Sequence, residues 1–210
     1  MAKDLNPKCK KCRRAGEKIF LKGERCNTAK CALVKRSFAP GFHGPKQQRK
    51  RLSDYGLQLA EKQKAKRQYV LLEKQFKLTF EAAKAKTGNV AENFLKSLEM
   101  RFDNVVFRSG FAVSRSQARQ MINHGLFTIN DKLVNIPSYH TKTGEEIKVK
   151  VNKKNAKIFK NLSESIKKYE APGWLNIDAK EIKSKVLHQP GMDVIKPNFN
   201  IQMIVEYYSR

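Results

Sequence analysis

Hydrophobic residues recur at helical spacing through the first half of the chain and at strand spacing further on. Ser53 is a suitable N-cap for a helix that continues to about Arg67. Two apolar stripes, over 69–83 and 94–106, repeat at three- and four-residue steps and predict two more helices. The first hundred residues are therefore expected to be largely helical.

The pattern changes after Gly110. Ser114-x-x-Gln117 has the spacing of a capping box and predicts a helix that begins near Arg115, with Gly125 as its C-cap. Short strands are predicted at 126–129, 133–134 and 147–151, a polar helix at 153–168 and extended chain at 171–178. This second region is typical of a small α/β module.

All four cysteines lie within the first 31 residues, as two short pairs. Cys9-x2-Cys12 and Cys26-x4-Cys31 supply four thiolates with the spacing of a tetrahedral site, so we predict one Zn²⁺ ion as cofactor. An iron–sulfur cluster, which also takes four thiolates, is the alternative. The first eleven residues lack the apolar core of a signal peptide, so a reducing compartment is expected and disulfides are disfavoured.

The charge balance points to a polyanionic partner. The chain of 210 residues has 44 Lys and Arg against 19 Asp and Glu, a net charge of +25, and residues 1–67 hold 20 of these cations and 5 of the acids. A nucleic acid is the first candidate. A membrane span is not expected, since no window approaches the ~18 apolar residues that it needs.

A basic loop separates the cysteines from the first long helix. The stretch 37–56 is rich in glycine and proline, which predicts irregular structure. Its second half has four cations, and Phe42 and Tyr55 lie close by in sequence. Such a composition suits phosphates and unpaired bases.

The segment RFDNVVFRSGFAVSRSQARQMINHGLFTINDKLVN, at 101–135, resembles the small RNA-binding module named after small-subunit ribosomal protein four. Further segments resemble the ribosomal protein four family itself: PGFHG at 40–44, RLSDYGLQLAEKQKAKRQY at 51–69, LEKQF at 72–76, APGWL at 171–175 and IVEYYSR at 204–210. The cysteines resemble its metal-binding bacterial form. Bacterial relatives often have Asn-Gly where Asn130-Asp131 stands, which leaves the turn type open.

This resemblance implies an α+β fold with three parts. They are a zinc knuckle and basic loop at 1–45, a helical lobe at 46–96 that the C-terminal tail 183–210 joins, and an inserted RNA-binding module at 97–182. It also implies a cytoplasmic constituent of the small ribosomal subunit: a primary rRNA-binding protein that nucleates assembly at a multi-helix junction, contacts ribosomal protein five and lines the channel by which mRNA enters. Some relatives also repress their own operon mRNA.

The expected RNA contacts are mainly basic side chains. Arg115 and Arg119 lie one turn apart on the predicted helix, where they suit phosphates, while Gln120 and Asn123 suit base edges or sugars and Lys132 adds charge from the hairpin. The full set of candidate RNA-binding residues is Arg13, Arg14, Lys18, Lys22, Lys62, Lys66, Arg67, Arg108, Arg115, Ser116, Arg119, Gln120, Asn123 and Lys132. The candidate mRNA patch consists of Lys46, Arg49, Lys50 and Arg51.

Short segments of the chain also resemble parts of two other classes of protein. Arg101-Phe-Asp103 resembles the catalytic Arg-Leu-Asp of pseudouridine synthases, but a structural role is expected because no chain remains for a catalytic domain. A zinc-finger DNA regulator is disfavoured because the four histidines are scattered rather than paired. The chain is therefore expected to have no enzymatic activity and no small-molecule substrate.

Overall fold

The chain folds into two units, Met1–Phe94 with Pro197–Arg210, and Leu95–Lys196. The computed structural model describes residues 4–46, 52–150, 169–195 and 197–210, together with residues 159, 162 and 166. Within these residues, every helix is too short or too polar to cross a bilayer. The predicted α+β class is confirmed as helices combined with one antiparallel sheet.

The first unit is helical. Its elements are α1 (Lys8–Ala15), a 3-10 helix (Gly23–Cys26), α2 (Ala32–Lys35), α3 (Asp54–Gln68), α4 (Glu73–Lys84), the start of α5 (Val90–Glu99) and the C-terminal helix α8 (Ile201–Ser209). Helix α3 begins where the sequence predicts, because the Ser53 hydroxyl accepts a hydrogen bond from the N–H of Gly56 at 3.3 Å. Helix α8 uses the same device, with the Asn200 side chain as its cap.

Aromatic rings form the core of this unit. Phe94 packs edge-on against Phe76 and Phe80, with ring centroids 5.1 and 5.3 Å apart. Tyr208 of α8 stacks on Phe80 at 4.7 Å. The apolar stripe of α4 is therefore core, and α8 completes that core.

The second predicted stripe is interrupted. The sequence pattern at 94–106 indicates one helix, whereas the structure has α5 and α6 (Phe102–Arg108) with Arg101 extended between them. The N–H of Phe102 donates to the carbonyl of Tyr139, and the N–H of Thr141 donates to the carbonyl of Met100. Pairing with this distant segment competes with the helix and breaks it.

The second unit packs α6 and α7 (Arg115–Asn123) on a five-stranded antiparallel sheet in the order β2-β1-β3-β5-β4. The strands are β1 (Phe127–Ile129), β2 (Lys132–Leu133), β3 (Glu146–Val149), β4 (Leu175–Asp178) and β5 (Lys183–Val186). Strands β1 and β4 lie within predicted segments, β2 and β3 overlap theirs but begin one residue earlier, and β5 was not predicted. The predicted boundary after 182 falls immediately before β5, which pairs with β3 and β4.

The β1–β2 turn is tight. Both Asn130 and Asp131 have positive φ, 46° and 64°, as a type I′ turn requires at its two central residues. The Asn130 side chain accepts a hydrogen bond from the N–H of Glu146, which fixes the turn against β3. Asp is accommodated at the second position in place of Gly, so the hairpin keeps its two-residue form.

Most of the polar helix predicted at 153–168 lies outside the described residues. Phe159 and Ile166, which are described, are buried in the core of the second unit.

Candidate nucleic-acid interface

The four cysteines lie on neighbouring short elements of the first unit. Cys9 and Cys12 are on α1, Cys26 ends the 3-10 helix, and Cys31 precedes α2. All four are free thiols, and all but the half-buried Cys9 are buried. The two pairs are thus presented from separate turns, as the sequence spacing suggests.

The charges of the other cysteines affect the Cys12 thiol. Burial raises the pKa of Cys12, a bond from the Ile19 backbone opposes that rise, and the charges of the other three cysteines raise it further. Yet no group of three or more Cys, His, Asp or Glu among the described residues is arranged to hold a metal ion. The donor set therefore fits a four-thiolate metal in composition, without the geometry of an assembled site.

The cations around the cysteines have different environments. Arg13 bonds the carbonyls of Phe38 and Ala39 at 3.0 and 3.2 Å and lies over the Phe38 ring. Lys18 is half-exposed and Lys22 exposed. Arg13 therefore holds the 38–39 loop against α1, while the two lysines are accessible to a polyanion.

Arg14, Lys66 and Arg67 line one cleft of about 400 Å³ between α1 and the end of α3. Lys66 also bonds Glu73 at 2.8 Å. Burial lowers the pKa of Arg67, and the positive charge of Arg14 lowers it further. The sequence gives no sign that these cations, far apart along the chain, share one cleft.

Lys62 is buried inside the helical unit. Its Nζ donates to Glu73 at 2.6 Å and lies 4.6 Å from the centre of the Tyr207 ring. Only 4% of the residue is exposed. This placement gives Lys62 a structural role between α3, α4 and α8, and it withdraws the side chain from a surface contact with RNA.

Helix α7 begins as the sequence predicts. The Ser114 hydroxyl accepts from the N–H of Gln117 at 3.3 Å, and the Gln117 side chain accepts from the N–H of Val113 at 2.9 Å. The second bond goes one residue earlier than in the reciprocal capping box. Gly125, with φ 63°, follows the helix as expected.

Arg115 and Arg119 share one side of α7 but differ in accessibility. Arg115 is half-buried, donates to Asn104 at 2.7 Å and lies over the Phe107 ring at 4.6 Å. Arg119 is only 7% exposed, and its guanidinium faces Asp103 at 3.8 Å. The expected phosphate contact therefore suits Arg115 and not Arg119, whose position serves packing.

Arg101 and Asp103 form a buried pair. The guanidinium of Arg101 donates to both carboxylate oxygens of Asp103, at 3.2 and 3.0 Å, and the two residues are 1% and 4% exposed. The segment that resembles a pseudouridine synthase motif is thus an internal ion pair at the start of α6, which agrees with its expected structural role.

Arg108 is anchored by a carboxylate that sequence reasoning missed. It donates to both oxygens of Glu99 at 2.9 Å, and Glu99 has no exposed surface. The Asn104 side chain bonds Glu99 at 2.7 Å and accepts from Arg115. Asn104 and Glu99 therefore link two of the candidate arginines, a connection that local sequence patterns do not reveal.

The remaining candidates of the second unit are accessible. Gln120, Asn123 and Lys132 are exposed, and Ser116 is partly exposed. In the candidate mRNA patch, Lys46 is exposed, and Arg49, Lys50 and Arg51 lie outside the described residues.

Comparison with known proteins covers the whole chain. The Ribosomal protein S4/S9 N-terminal domain matches residues 3–99, and the S4 domain matches residues 100–147. Over 210 residues and the full length of both chains, identity is 49% to the small ribosomal subunit protein uS4 of Acetivibrio thermocellus and 47% to that of Heliobacterium modesticaldum. It is 48% to the small ribosomal subunit protein uS4A of Alkaliphilus oremlandii over the same span. These relatives are ribosomal proteins rather than enzymes, and the chain belongs to the uS4 ribosomal protein family.

Proposed function

We propose that this protein is a structural constituent of the small ribosomal subunit in the cytoplasm and binds the rRNA of that subunit. The observation that carries the proposal is membership of the uS4 family along the entire chain, with both family domains in order. The net charge of +25 supplies the electrostatic attraction that such a role needs.

Helix α7 and the β1–β2 hairpin form the proposed RNA surface of the second unit. Arg115 is held by Asn104 and by the Phe107 ring, so its orientation is set before RNA arrives. Gln120, Asn123 and Lys132 add exposed polar and charged groups. Phosphates would position the RNA, and the two amides would contact base edges or riboses.

The finer roles follow from the family resemblance. They are nucleation of assembly at a multi-helix junction, contact with ribosomal protein five, and a cationic patch for incoming mRNA at Lys46, Arg49, Lys50 and Arg51. Repression of the protein's own mRNA, which some relatives perform, stays an open alternative for this chain. Lys46 is exposed and follows the turn at 41–44, which supports its part in the patch.

We further propose that Cys9, Cys12, Cys26 and Cys31 bind one structural Zn²⁺. The burial of three of the thiols, and the presence of all four on neighbouring short elements, support this assignment. The N–H of Lys22 donates to the sulfur of Cys26 at 3.4 Å, and such bonds favour the thiolate form that a metal requires. Four thiolates leave no open coordination position, so the metal would be structural.

Elemental analysis of anaerobically purified protein tests the metal. We expect one zinc per chain, lost when Cys9 and Cys12 are both replaced by Ser. Iron and sulfide in place of zinc would support the alternative, an iron–sulfur cluster bound by the same four cysteines. Absence of any stoichiometric metal would contradict both.

Co-sedimentation with small subunits tests the function. The full-length protein should remain with the small subunit at high salt and protect discrete regions of its rRNA from chemical modification. Two further measurements test the rival functions. An assay for pseudouridylation of rRNA fragments tests for enzymatic activity, and competition between duplex DNA and folded rRNA tests for DNA binding. Preferential binding to duplex DNA, or loss from the subunit at modest salt, would contradict the proposed function.

A further inference from the structure

The cleft between α1 and the end of α3 has an excess of positive charge without enough carboxylates to offset it. Five cations line it, Lys10, Lys11, Arg14, Lys66 and Arg67, and Asp4 is its single acid. Asp4 pairs with Lys11, and Glu73 pairs with Lys66. Within the part of the chain that the structure describes, no carboxylate pairs with Lys10, Arg14 or Arg67.

The unpaired cations line the same cleft. Arg67 is half-buried at the end of α3, and Arg14 on α1 faces the same space. Burial and the positive charge of Arg14 lower the pKa of Arg67, while the carboxylate of Asp4 raises it. The packing of α1 beside α3 brings both residues to one cleft, and the free energy of repulsion between like charges falls when an anion lies between them. The cleft therefore favours negative charge.

The other walls of the cleft suit a nucleic-acid strand better than a bare ion. Gln63 and Asn6 place amide groups beside the cations, and Pro40, Val70 and Leu71 add apolar surface. Amides can bond ribose hydroxyls, and apolar side chains can cover the ribose ring. Arg13 bonds the carbonyl of Ala39, next to Pro40, so this edge of the cleft is fixed as well.

We infer that this cleft binds a single phosphate of the RNA backbone, gripped between Arg14 and Arg67, with Lys10 beside them. The inference rests on the proposed function, since it takes small-subunit rRNA as the source of that phosphate. It adds a defined anchoring point on the first unit, formed jointly by the cysteine-bearing helix and α3.

A double-mutant cycle in the full-length protein tests the cleft. Arg14→Gln, Arg67→Gln and the double variant are titrated with an rRNA fragment over a range of salt concentrations. Each single variant should weaken binding by about tenfold, because a charge-assisted hydrogen bond is lost. In the double variant, the fold loss of RNA affinity should be clearly smaller than the product of the two single losses, because both arginines contact one phosphate. The slope of log affinity against log salt concentration should fall by about one, since one phosphate contact is lost.

The matched control is Lys74→Gln with Lys84→Gln. These exposed lysines of α4 give the same change in charge within the same unit. A control that weakens binding as much as the cleft variant would mean that only net charge matters, and it would overturn the inference. Arg14→Lys with Arg67→Lys should retain the salt slope and lose only part of the affinity, since charge remains and the planar fork is lost.

The remaining outcomes separate this inference from the proposed function. If the wild type binds the rRNA fragment and the folded double variant binds equally well, the cleft inference fails alone. If the wild type does not bind rRNA, the proposed function fails. Additive losses with a slope change near two would show independent contacts, which contradicts a shared phosphate. Inorganic phosphate and polyglutamate serve as competitors. If replacing the two arginines abolishes polyglutamate binding and leaves RNA binding unchanged, the cleft binds an acidic protein segment and not RNA.

Discussion

At the scale of single residues, the protein divides its cations between internal and external partners. Lys62, Arg101 and Arg119 are buried and face carboxylates, whereas Arg14 and Lys132 are exposed. A sequence count treats these side chains alike. The structure shows that these buried cations have internal carboxylate partners, so fewer cations are available to RNA than the net charge suggests.

Arg119→Ala should act on stability rather than on RNA affinity. The side chain is buried and faces Asp103, so its loss should lower the free energy of unfolding by about 1–3 kcal/mol. The slope of RNA affinity against salt should stay unchanged, because no phosphate contact is removed. Chemical unfolding and RNA titration check the two parts, with Gln120→Ala as an exposed control of the same helix. A lowered salt slope with normal stability would return Arg119 to the RNA surface.

Glu73 should give the protein an acid-sensitive contact. Burial alone would raise the pKa of Glu73, but hydrogen bonds from Lys62 and Lys66 lower it from 4.5 to about 2. The unfolded chain therefore binds more protons between these values, and stability is lost as pH falls through that window. Unfolding of Glu73→Gln, compared with wild type from neutral pH to about 2, should show a weaker dependence on pH there. The same dependence in both proteins would show that Glu73 is not responsible.

At the scale of elements, sequence patterns correctly predicted the helix starts that depend on contacts between neighbouring residues. Ser53 and Ser114 start helices because their hydroxyls bond nearby N–H groups, and these starts are confirmed. The break between α5 and α6 depends on Tyr139 and Thr141, distant in sequence, and was missed. Strand β5 was missed because its polar residues do not have the pattern of a strand, and its strand conformation depends on pairing with β3 and β4.

The candidate site follows the same rule. Neighbouring residues on α7 were grouped correctly from helical spacing, but the spacing did not reveal that Arg119 faces inward. The cleft joins Arg14 to Arg67, and only the packing of α1 beside α3 brings them together. Side-chain partners across the chain therefore decide which cations are available, and a single sequence does not encode those partners in a local pattern.

The β1–β2 turn provides a test at this scale. Asp131 has φ 64°, a conformation that costs an L-residue about 1–2 kcal/mol and glycine little. Asp131→Gly should therefore be more stable than Asp131→Ala by about 1 kcal/mol. Both variants lose the 3.4 Å contact with Lys148, so their difference isolates the backbone. Equal unfolding midpoints for the two variants would argue against a type I′ turn.

At the scale of the whole molecule, positive charge is concentrated toward the N-terminal part of the chain. Residues 1–67 contribute +15 of the net +25, and they include the cysteines, the cations of the cleft and the basic loop. The functions proposed above require two kinds of contact, one with rRNA and one with mRNA. Fixed rRNA suits preorganised cations such as those of the cleft, whereas a moving message suits long side chains that hold phosphates without selecting bases.

The basic loop should therefore affect translation more than assembly. Replacing Lys46, Arg49, Lys50 and Arg51 together with Ala should leave subunit yield largely intact, because the α7 surface and the cleft provide other rRNA contacts. The same variant should slow ribosomes selectively on messages with hairpins, since fewer cations hold the strand as it enters. The measurement compares subunit yield with elongation rates on structured and unstructured messages.

The control for this prediction replaces four lysines outside the loop, Lys74, Lys77, Lys84 and Lys86, with Ala. These exposed residues on and after α4 give the same loss of charge, so a general electrostatic effect would appear in both variants. A defect on structured messages that is confined to the loop variant would assign the loop to the mRNA path. Loss of subunit yield in the loop variant, with equal rates on both messages, would instead assign these cations to rRNA, because fixed RNA is then the partner whose phosphates they neutralise.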